Sequence, residues 1–533
     1  MLTAPQPEAV EAGLEILRAG GNALDAVIGC ALTQGVVDPM MCGLGGLGVL
    51  HLHDPVNGRH EVWDGLSTCP AAARPEMFEA RFRGECPDGY GYILSDHGNE
   101  LGHEAVTVPG ILAALSAAHG EGGRLPWADL FAPAIGFARQ GWLVRPHVAA
   151  MFHLDETASG RLPYARKLAF TEQGSALYCR PDGSPKRLGD AVRNPGLADT
   201  LALIAREGAA AFYRGDIAAA IAGDMADHGG LLTRADLQNF RPRRLAPMSV
   251  AYRGWNIAVP PPPAGGIFVA QLLRILERFD LVALGHNTPA YMAVVAEAMR
   301  IAGRDRDEHI GDPDFVQPPL AMLLSDAYAD AAAARIRAGG RASLTRLPER
   351  LPEPAHTTTI SCVDADGMVV SLTHTLGLPS GVMPPGTGFM LNGAMNWYDP
   401  RPGHAGSVAP GKRRFSSMTP SIIFDGPRAV ATLGAPGGAW IGVAVAQAVL
   451  NLLDWGMGMQ EAAAAPRFSA TSDVIDLSNR IPRAAQAGLE AMGYATKRSP
   501  VSFAFAAVHG ITMWDGRLEG GADPQRDGHV GVI

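Results

Sequence analysis

The apolar positions change rhythm along this chain. In EAVEAGLEILRA (residues 8–19), Val10, Leu14, Ile16 and Leu17 fall roughly on one helical face, and Gly20-Gly21 ends the segment. A second helix is predicted from Asn22, with Asp25 in its first turn. It continues as AVIGCALTQGVV, so apolar all round that it must be buried. GLGGLGVLHLHDP then reads as a glycine turn running into a strand, and residues 105 to 340 read as mainly helical between Gly and Pro breaks.

From residue 357 onward, short β-rich runs take over: TTTISCVDADG, MVVSLTHTLG, FMLNG, MTPSIIFDG and AVATLGAPGG. TISCVDADGMVVSLTHT predicts a hairpin, two alternating strands joined across Asp364-Ala365-Asp366-Gly367. In its first strand Thr357, Thr359, Ser361 and Val363 share one face, while Thr358, Ile360 and Cys362 share the other. The preceding RLPERLPEPAHT is rich in proline and charge and reads as an exposed linker, so the three threonines stand where a linker meets a core strand. Thr is a common strand former, which is one account of the run. The other account is chemical. If the chain is cut before such a threonine, the new α-amine lies within reach of the hydroxyl, and its pKa near 8 suits a general base.

Composition narrows the field. A chain of 533 residues with 47% hydrophobic and 18% charged residues is a compact soluble protein of two or three domains, or one large layered α/β unit. The net charge of −9 and the lack of a basic stripe argue against nucleic acid and anionic membranes as partners. No run approaches the ~18 apolar residues of a membrane span, and no secretory pattern opens the chain. Cys30, Cys42, Cys69, Cys86, Cys179 and Cys362 form no CxxC pair, which fits neither a disulfide framework nor a zinc site and leads to a cytoplasmic expectation.

Gly43–Gly48 (GLGGLG) satisfies a GxGxxG search, but a helix precedes it and a strand follows, the reverse of a dinucleotide site. The turn is read as a place where backbones pack closely. His51 and His53 share a strand face without a third ligand nearby and are read as structural. The acidic run DRDEHIGDPD (305–314) lacks calcium-loop spacing and is read as a hydrogen-bonded helix end. HExxH, P-loop and G-x-S-x-G elements do not occur.

The remaining motifs resemble the gamma-glutamyltransferase family of N-terminal-nucleophile (Ntn) hydrolases over nearly the whole chain. They run from GLEILRAGGNALDAVIGCALTQGVVDP (13–39) through AVTVPG, AFYRGDIA, GGLLTRADL, YRGWNIAVPPPPAGG and RDRDEHIGDPDF to TTTISCVDADG, RRFSSMTPSI, GAPGG and APRF. The resemblance implies a four-layer αββα sandwich formed jointly by two autocleavage products, residues 1–356 and 357–533. Cleavage would fall between His356 and Thr357, with Thr357 as nucleophile and Thr375 as its hydrogen-bonding threonine. Gly437 and Gly438 would supply the oxyanion hole. The family's Thr-Thr-His element reads Thr357-Thr358-Thr359 here, a departure at its third position.

The resemblance also shows what has changed. The serine pair that holds a glutamyl carboxylate remains as Ser416 and Ser417, but its partner arginine aligns with Leu66. The Asn, Gln and Asp that hold the α-amino group align with Gly377, Ala394 and Trp397. An ammonium stripped of its carboxylate partner is poorly compensated in a dry pocket. The expected substrate is therefore an amide whose acyl part lacks the free α-amino group, with Trp397 and Tyr398 forming an apolar wall. His374 and the Arg413-Arg414 pair offer polar groups, read as structural. Neither cofactor nor metal is implied, and the partners are a small-molecule amide and the two fragments as a heterodimer, with further dimerisation left open. Two rivals stand: a true γ-glutamyl hydrolase or transpeptidase with an altered clamp, and an uncleaved, non-catalytic binding protein.

Overall fold

The computed structural model of the chain describes all residues except 88, 90, 345–355, 501 and 503. The exposed-linker reading of RLPERLPEPAHT therefore falls outside the described residues except at its end, where His356 and Thr357 are buried and not exposed.

Thirteen strands build two antiparallel sheets. They are β1 (Leu2–Ala4), β2 (Leu47–Asp54), β3 (Arg59–Gly65), β4 (Arg243–Leu245), β5 (Met248–Tyr252), β6 (Trp255–Val259), β7 (Thr358–Val363) and β8 (Val369–Thr375). The remainder are β9 (Ser421–Asp425), β10 (Arg428–Gly434), β11 (His509–Trp514), β12 (Arg517–Ala522) and β13 (His529–Gly531). The first sheet has the order β13-β1-β7-β8-β2-β3-β4, and the second β12-β11-β10-β9-β6-β5.

Helices cover both outer faces. On the first sheet lie α1 (Pro7–Arg18), α2 (Ala23–Val37) and α3 (Ile111–Gly122); on the second lie α4 (Gly266–Leu276) and α6 (Ile441–Leu453), with α5 (Pro289–His309) packed on α4. The amphipathic stripe of α1 turns inward, and α2 opens on a capping box in which Asn22 and Asp25 satisfy each other's backbone N–H. The apolar surround of α2 is explained by its place: it is packed against α1, β7 and β8 at once. One large core lies between the first sheet and its helices, another between the second sheet and its own. A thin layer of Val363, Val369, Ile422, Phe424 and Ile511 joins the sheets. This is the αββα sandwich that the resemblance implies.

The expected hairpin forms, with Thr359 opposite Thr373 and Ser361 opposite Ser371. Near its open end the seam between the sheets is lined by hydroxyls. Thr359 donates to the Leu372 carbonyl at 3.0 Å, and a Cβ on Gly434 of the facing sheet would come 2.4 Å from the Thr359 oxygen. Only glycine allows so close an approach. Thr358 points the other way, where its hydroxyl accepts from Gln34 at 2.9 Å. Among the described residues no helix is long and apolar enough to cross a membrane.

Candidate active site

Thr357 stands immediately before β7 and is 3% exposed. Its φ is +93°, a left-handed conformation that a β-branched residue adopts at a cost of about 1–3 kcal/mol. The surroundings hold it there. Its carbonyl accepts from the buried Arg526 guanidinium at 2.9 Å, and the preceding carbonyl, of His356, accepts from the Gly437 N–H at 3.2 Å. Thr358 pairs with His374, so the register brings Thr375 beside Thr357 across the hairpin. The Thr375 hydroxyl accepts from the Gly377 N–H at 2.9 Å, which fixes its position.

The GAPGG turn follows β10 and leads through a short helical turn into α6. Gly437 and Gly438 have φ of +138° and +56°. A Cβ on Gly437 would lie 2.3 Å from the Ala506 Cβ, so sterics as well as φ demand glycine. Ser417 ties the turn down by donating to the Gly438 carbonyl at 2.6 Å, and Ser416 donates its N–H to Pro263 at 2.9 Å. The GLGGLG turn serves the same region from the other side. A Cβ on Gly46 would meet the Thr375 carbonyl at 2.3 Å, which gives the glycines a packing role.

Where the resemblance places an amino-acid clamp, the structure places apolar surface. Leu66 and Ala394 belong to one buried cluster with Leu47, Val49, Val62, Ala264 and Met418. A Cβ on Gly377 would touch the Trp397 ring at 3.0 Å and the Ala394 Cβ at 3.4 Å, so these three positions converge. The Arg414 guanidinium stacks on Trp397, 3.8 Å from the ring centroid. Beyond Trp397 and Arg414 opens a cleft whose lining includes Tyr92, Arg306, Arg401 and Phe415.

Other candidates lie elsewhere. Tyr398 is buried with Cys69, Phe78 and Val408 and donates its hydroxyl to the Lys412 carbonyl at 2.7 Å, so it braces a neighbouring loop and is not a pocket wall. The His374 Nε2 contacts Gln34 Oε1 at 2.8 Å, and burial lowers its pKa to about 3. Arg413 faces Asp64 at 3.3 Å and donates to Arg241. His51 stacks on His60 and contacts the Pro420 carbonyl, with its pKa brought to about 3 by burial and then by His60. The acidic run is tied by arginine, Arg243 reaching both Asp312 and Asp314. His103, Asp224 and His228 approach closely enough to suit a metal, but the two rings stack at 12° and so do not aim at one point.

Reasoning from sequence missed the seat of His356. This residue is 1% exposed, and its ring lies parallel to Tyr164, centroids 5.8 Å apart, and 6.4 Å from Trp397. The Tyr164 hydroxyl meets Nδ1, and Nε2 lies 3.5 Å from Glu156. Arg161 pairs with Glu156 at 3.4 Å, while Lys167 lies over the Tyr164 ring and pairs with Glu100 at 2.7 Å. Burial alone would raise the Glu156 pKa, but the facing His356 ring and the Arg161 and Lys167 cations hold it below the usual carboxylate range. Burial outweighs Glu156 at the imidazole and lowers its pKa. A neutral ring accepting from Tyr164 at Nδ1 carries its proton on Nε2, facing the carboxylate. In sequence, ETASGRLPYARK (156–167) looks like an ordinary polar loop, so spacing offered no signal.

A hydroxyl residue heading a central strand of an αββα sandwich, beside a glycine turn, is the architecture of an Ntn hydrolase. The chain matches the model of the Gamma-glutamyltranspeptidase family over residues 9–533, and it belongs to that family. It is 38% identical over 532 residues to the acylase ACY 1 proenzyme of Pseudomonas sp. (strain V22), covering 99% of this chain and 92% of that one. To the glutathione hydrolase proenzyme of Escherichia coli (strain K12) it is 33% identical over 490 residues, covering 88% and 80%. Among solved structures it is similar to the cephalosporin acylase from Bacillus halodurans, with a TM-score of 0.87 and 29% identity over 99% of this chain and 95% of the other. The protein is accordingly an enzyme of the hydrolase and acyltransferase kind, acting on acyl amides.

Proposed function

We propose that Thr357 is the nucleophile of an autoprocessed amidase whose acyl group is not a standard γ-glutamyl group. The observation that carries this reading is the join at His356–Thr357, where the strained threonine follows a carbonyl already held by the Gly437 N–H. In processing, the Thr357 Oγ adds to the His356 carbonyl carbon, and the peptide C–N bond breaks. The nitrogen takes up the hydroxyl proton and becomes the free α-amine, leaving an ester. Water then cleaves the ester, giving a carboxylate on His356 and restoring the hydroxyl. Residues 1–356 and 357–533 are the products.

In turnover the α-amine accepts the Oγ proton as the hydroxyl attacks a substrate amide, then passes it to the leaving amine. The Gly437 and Gly438 N–H groups face the developing oxyanion, and water or an acceptor amine removes the acyl group. The apolar surround of Leu66, Ala394 and Trp397 supports a substrate without the α-ammonium of glutamate. Intact-mass measurement and N-terminal sequencing should find a second chain beginning at Thr357. The cleaved protein should hydrolyse glutaryl-p-nitroanilide at least tenfold faster, in kcat/KM, than γ-glutamyl-p-nitroanilide. The reverse order would restore the γ-glutamyl reading, and a chain that stays whole would favour a binding protein.

A further inference from the structure

We propose that the buried seat now filled by the His356 imidazole becomes an acyl-side subsite of the mature enzyme. It would take a flat group that offers one N–H donor and one acceptor, an azole above all. This rests on the proposed autocleavage and narrows its substrate class.

The Gly437 N–H that would face a substrate oxyanion is engaged by the His356 carbonyl at 3.2 Å. A substrate carbonyl can reach Thr357 and that donor together only when the His356 carbonyl has left. The imidazole is two bonds from its own carbonyl carbon's neighbour, so it must shift with it. What remains is a recess between Tyr164, which met the imidazole end-on through its hydroxyl, and Trp397, whose ring stood tilted by 60° at 6.4 Å.

The walls of this recess are charged, buried and fixed. Glu156, Arg161, Lys167 and Tyr164 are each 1% exposed or less. Arg161 pairs with Glu156, and Lys167 with Glu100, so the walls do not reorganise when the imidazole departs. The departing ring leaves the Tyr164 hydroxyl without its hydrogen-bond partner and removes the ring edge that stood 3.5 Å from the Glu156 carboxylate. Buried polar groups stripped of partners favour an occupant that replaces them. A phenyl ring fills the recess but satisfies neither group, and a carboxylate meets the charge of Glu156. An azole placed as in His356, joined to the acyl carbonyl through two carbons, takes up the Tyr164 hydrogen bond and turns its other nitrogen edge toward the Glu156 charge.

The test is calorimetric titration of the cleaved wild-type protein with 3-(imidazol-4-yl)propanoate and with 3-phenylpropanoate, the acids that such acyl groups would release. The azole acid should bind at least tenfold more tightly, and Tyr164→Phe should reduce that preference to within about threefold. The uncleaved Thr357→Ala chain, whose recess is still filled by His356, should bind neither acid measurably. Equal binding of the two acids, or equal binding of the azole acid by the cleaved and uncleaved chains, would overturn the subsite. The p-nitroanilides of the same acids separate this failure from that of the proposed function. Turnover of glutaryl-p-nitroanilide without an azole preference removes the subsite alone. A cleaved protein that hydrolyses none of these anilides and binds neither acid removes both.

Discussion

Replacing Gly437 by alanine tests the proposed chemistry at its most constrained point. The new Cβ would sit 2.3 Å from the Ala506 Cβ and 2.7 Å from its Cα, against an ordinary carbon contact of ~3.5–4.0 Å. The obstacle is backbone and a methyl on it, so no side-chain rotation relieves it. The turn must move by about 1 Å, at a φ of +138° that alanine resists. The Gly437 N–H now reaches the His356 carbonyl at 3.2 Å, and a displacement of that size takes it out of hydrogen-bonding range. Loss of one oxyanion donor lowers kcat by about 10²–10³, equivalent to roughly 3–4 kcal/mol. Because the same donor serves both reactions, processing and turnover should slow together. Fragment yield over time on a denaturing gel reads the first, and anilide hydrolysis by the material that does cleave reads the second. Thermal unfolding checks that the sandwich survives, since overpacking itself costs about 1–3 kcal/mol. A folded Gly437→Ala protein that cleaves and hydrolyses within twofold of wild type would show that this N–H does not carry the oxyanion.

Three further outcomes are expected. Thr357→Ala should run as a single chain without amidase activity, whereas Thr357→Ser should still cleave more slowly; cleavage in the alanine variant would move the nucleophile elsewhere. Tyr398→Phe removes a buried hydrogen bond to the Lys412 carbonyl and should cost about 1–3 kcal/mol in denaturant unfolding while leaving kcat/KM within twofold; a large loss of kcat/KM would return Tyr398 to the pocket. Stability should fall with acid below pH 6.5, because buried His51 and His374 have pKa values near 3 and His509 near 4, so the unfolded chain binds protons that the folded chain refuses. Each such group contributes at most about 1.4 kcal/mol per pH unit over that window, and His374→Gln should flatten the dependence of Tm on pH. An unchanged slope would mean that His374 is protonated in the fold.

Much of this architecture was legible because its signals are local. The stripe of α1, the Asn22–Asp25 capping box and the alternating strands of the hairpin all follow from neighbours in sequence. The hairpin register alone brings Thr375 to Thr357. Tyr398 shows where that kind of reading stops: it follows Trp397 directly, yet one extended residue turns its ring into a different cluster. The seat of His356 was illegible for a related reason. Its charged walls come from residues 156–167, nearly two hundred positions away, and their charges are met in pairs, one of them with Glu100, that only the fold assembles. The resemblance pointed to the lost clamp at Leu66, Gly377, Ala394 and Trp397. Only the structure shows that those positions meet an apolar cluster on one side and the guanidinium of Arg414 on the other.

The strand order also determines what scission would do to the molecule. In the first sheet β7 and β8 are flanked by β1 and β2, and β13 closes the other edge of β1; in the second, β9 pairs with β6. Strands from the two prospective fragments thus alternate across four seams, each with its own ladder of backbone bonds. The nicked protein should travel as one particle, and neither half keeps a complete sheet when alone. Before the cut, folding is a unimolecular search; afterwards, regaining the structure from denaturant requires two chains to meet. Recovery of the cleaved enzyme should depend on protein concentration, and recovery of the intact Thr357→Ala chain should not. The cut would thus make folding hard to repeat, leaving the working enzyme to persist by slow unfolding.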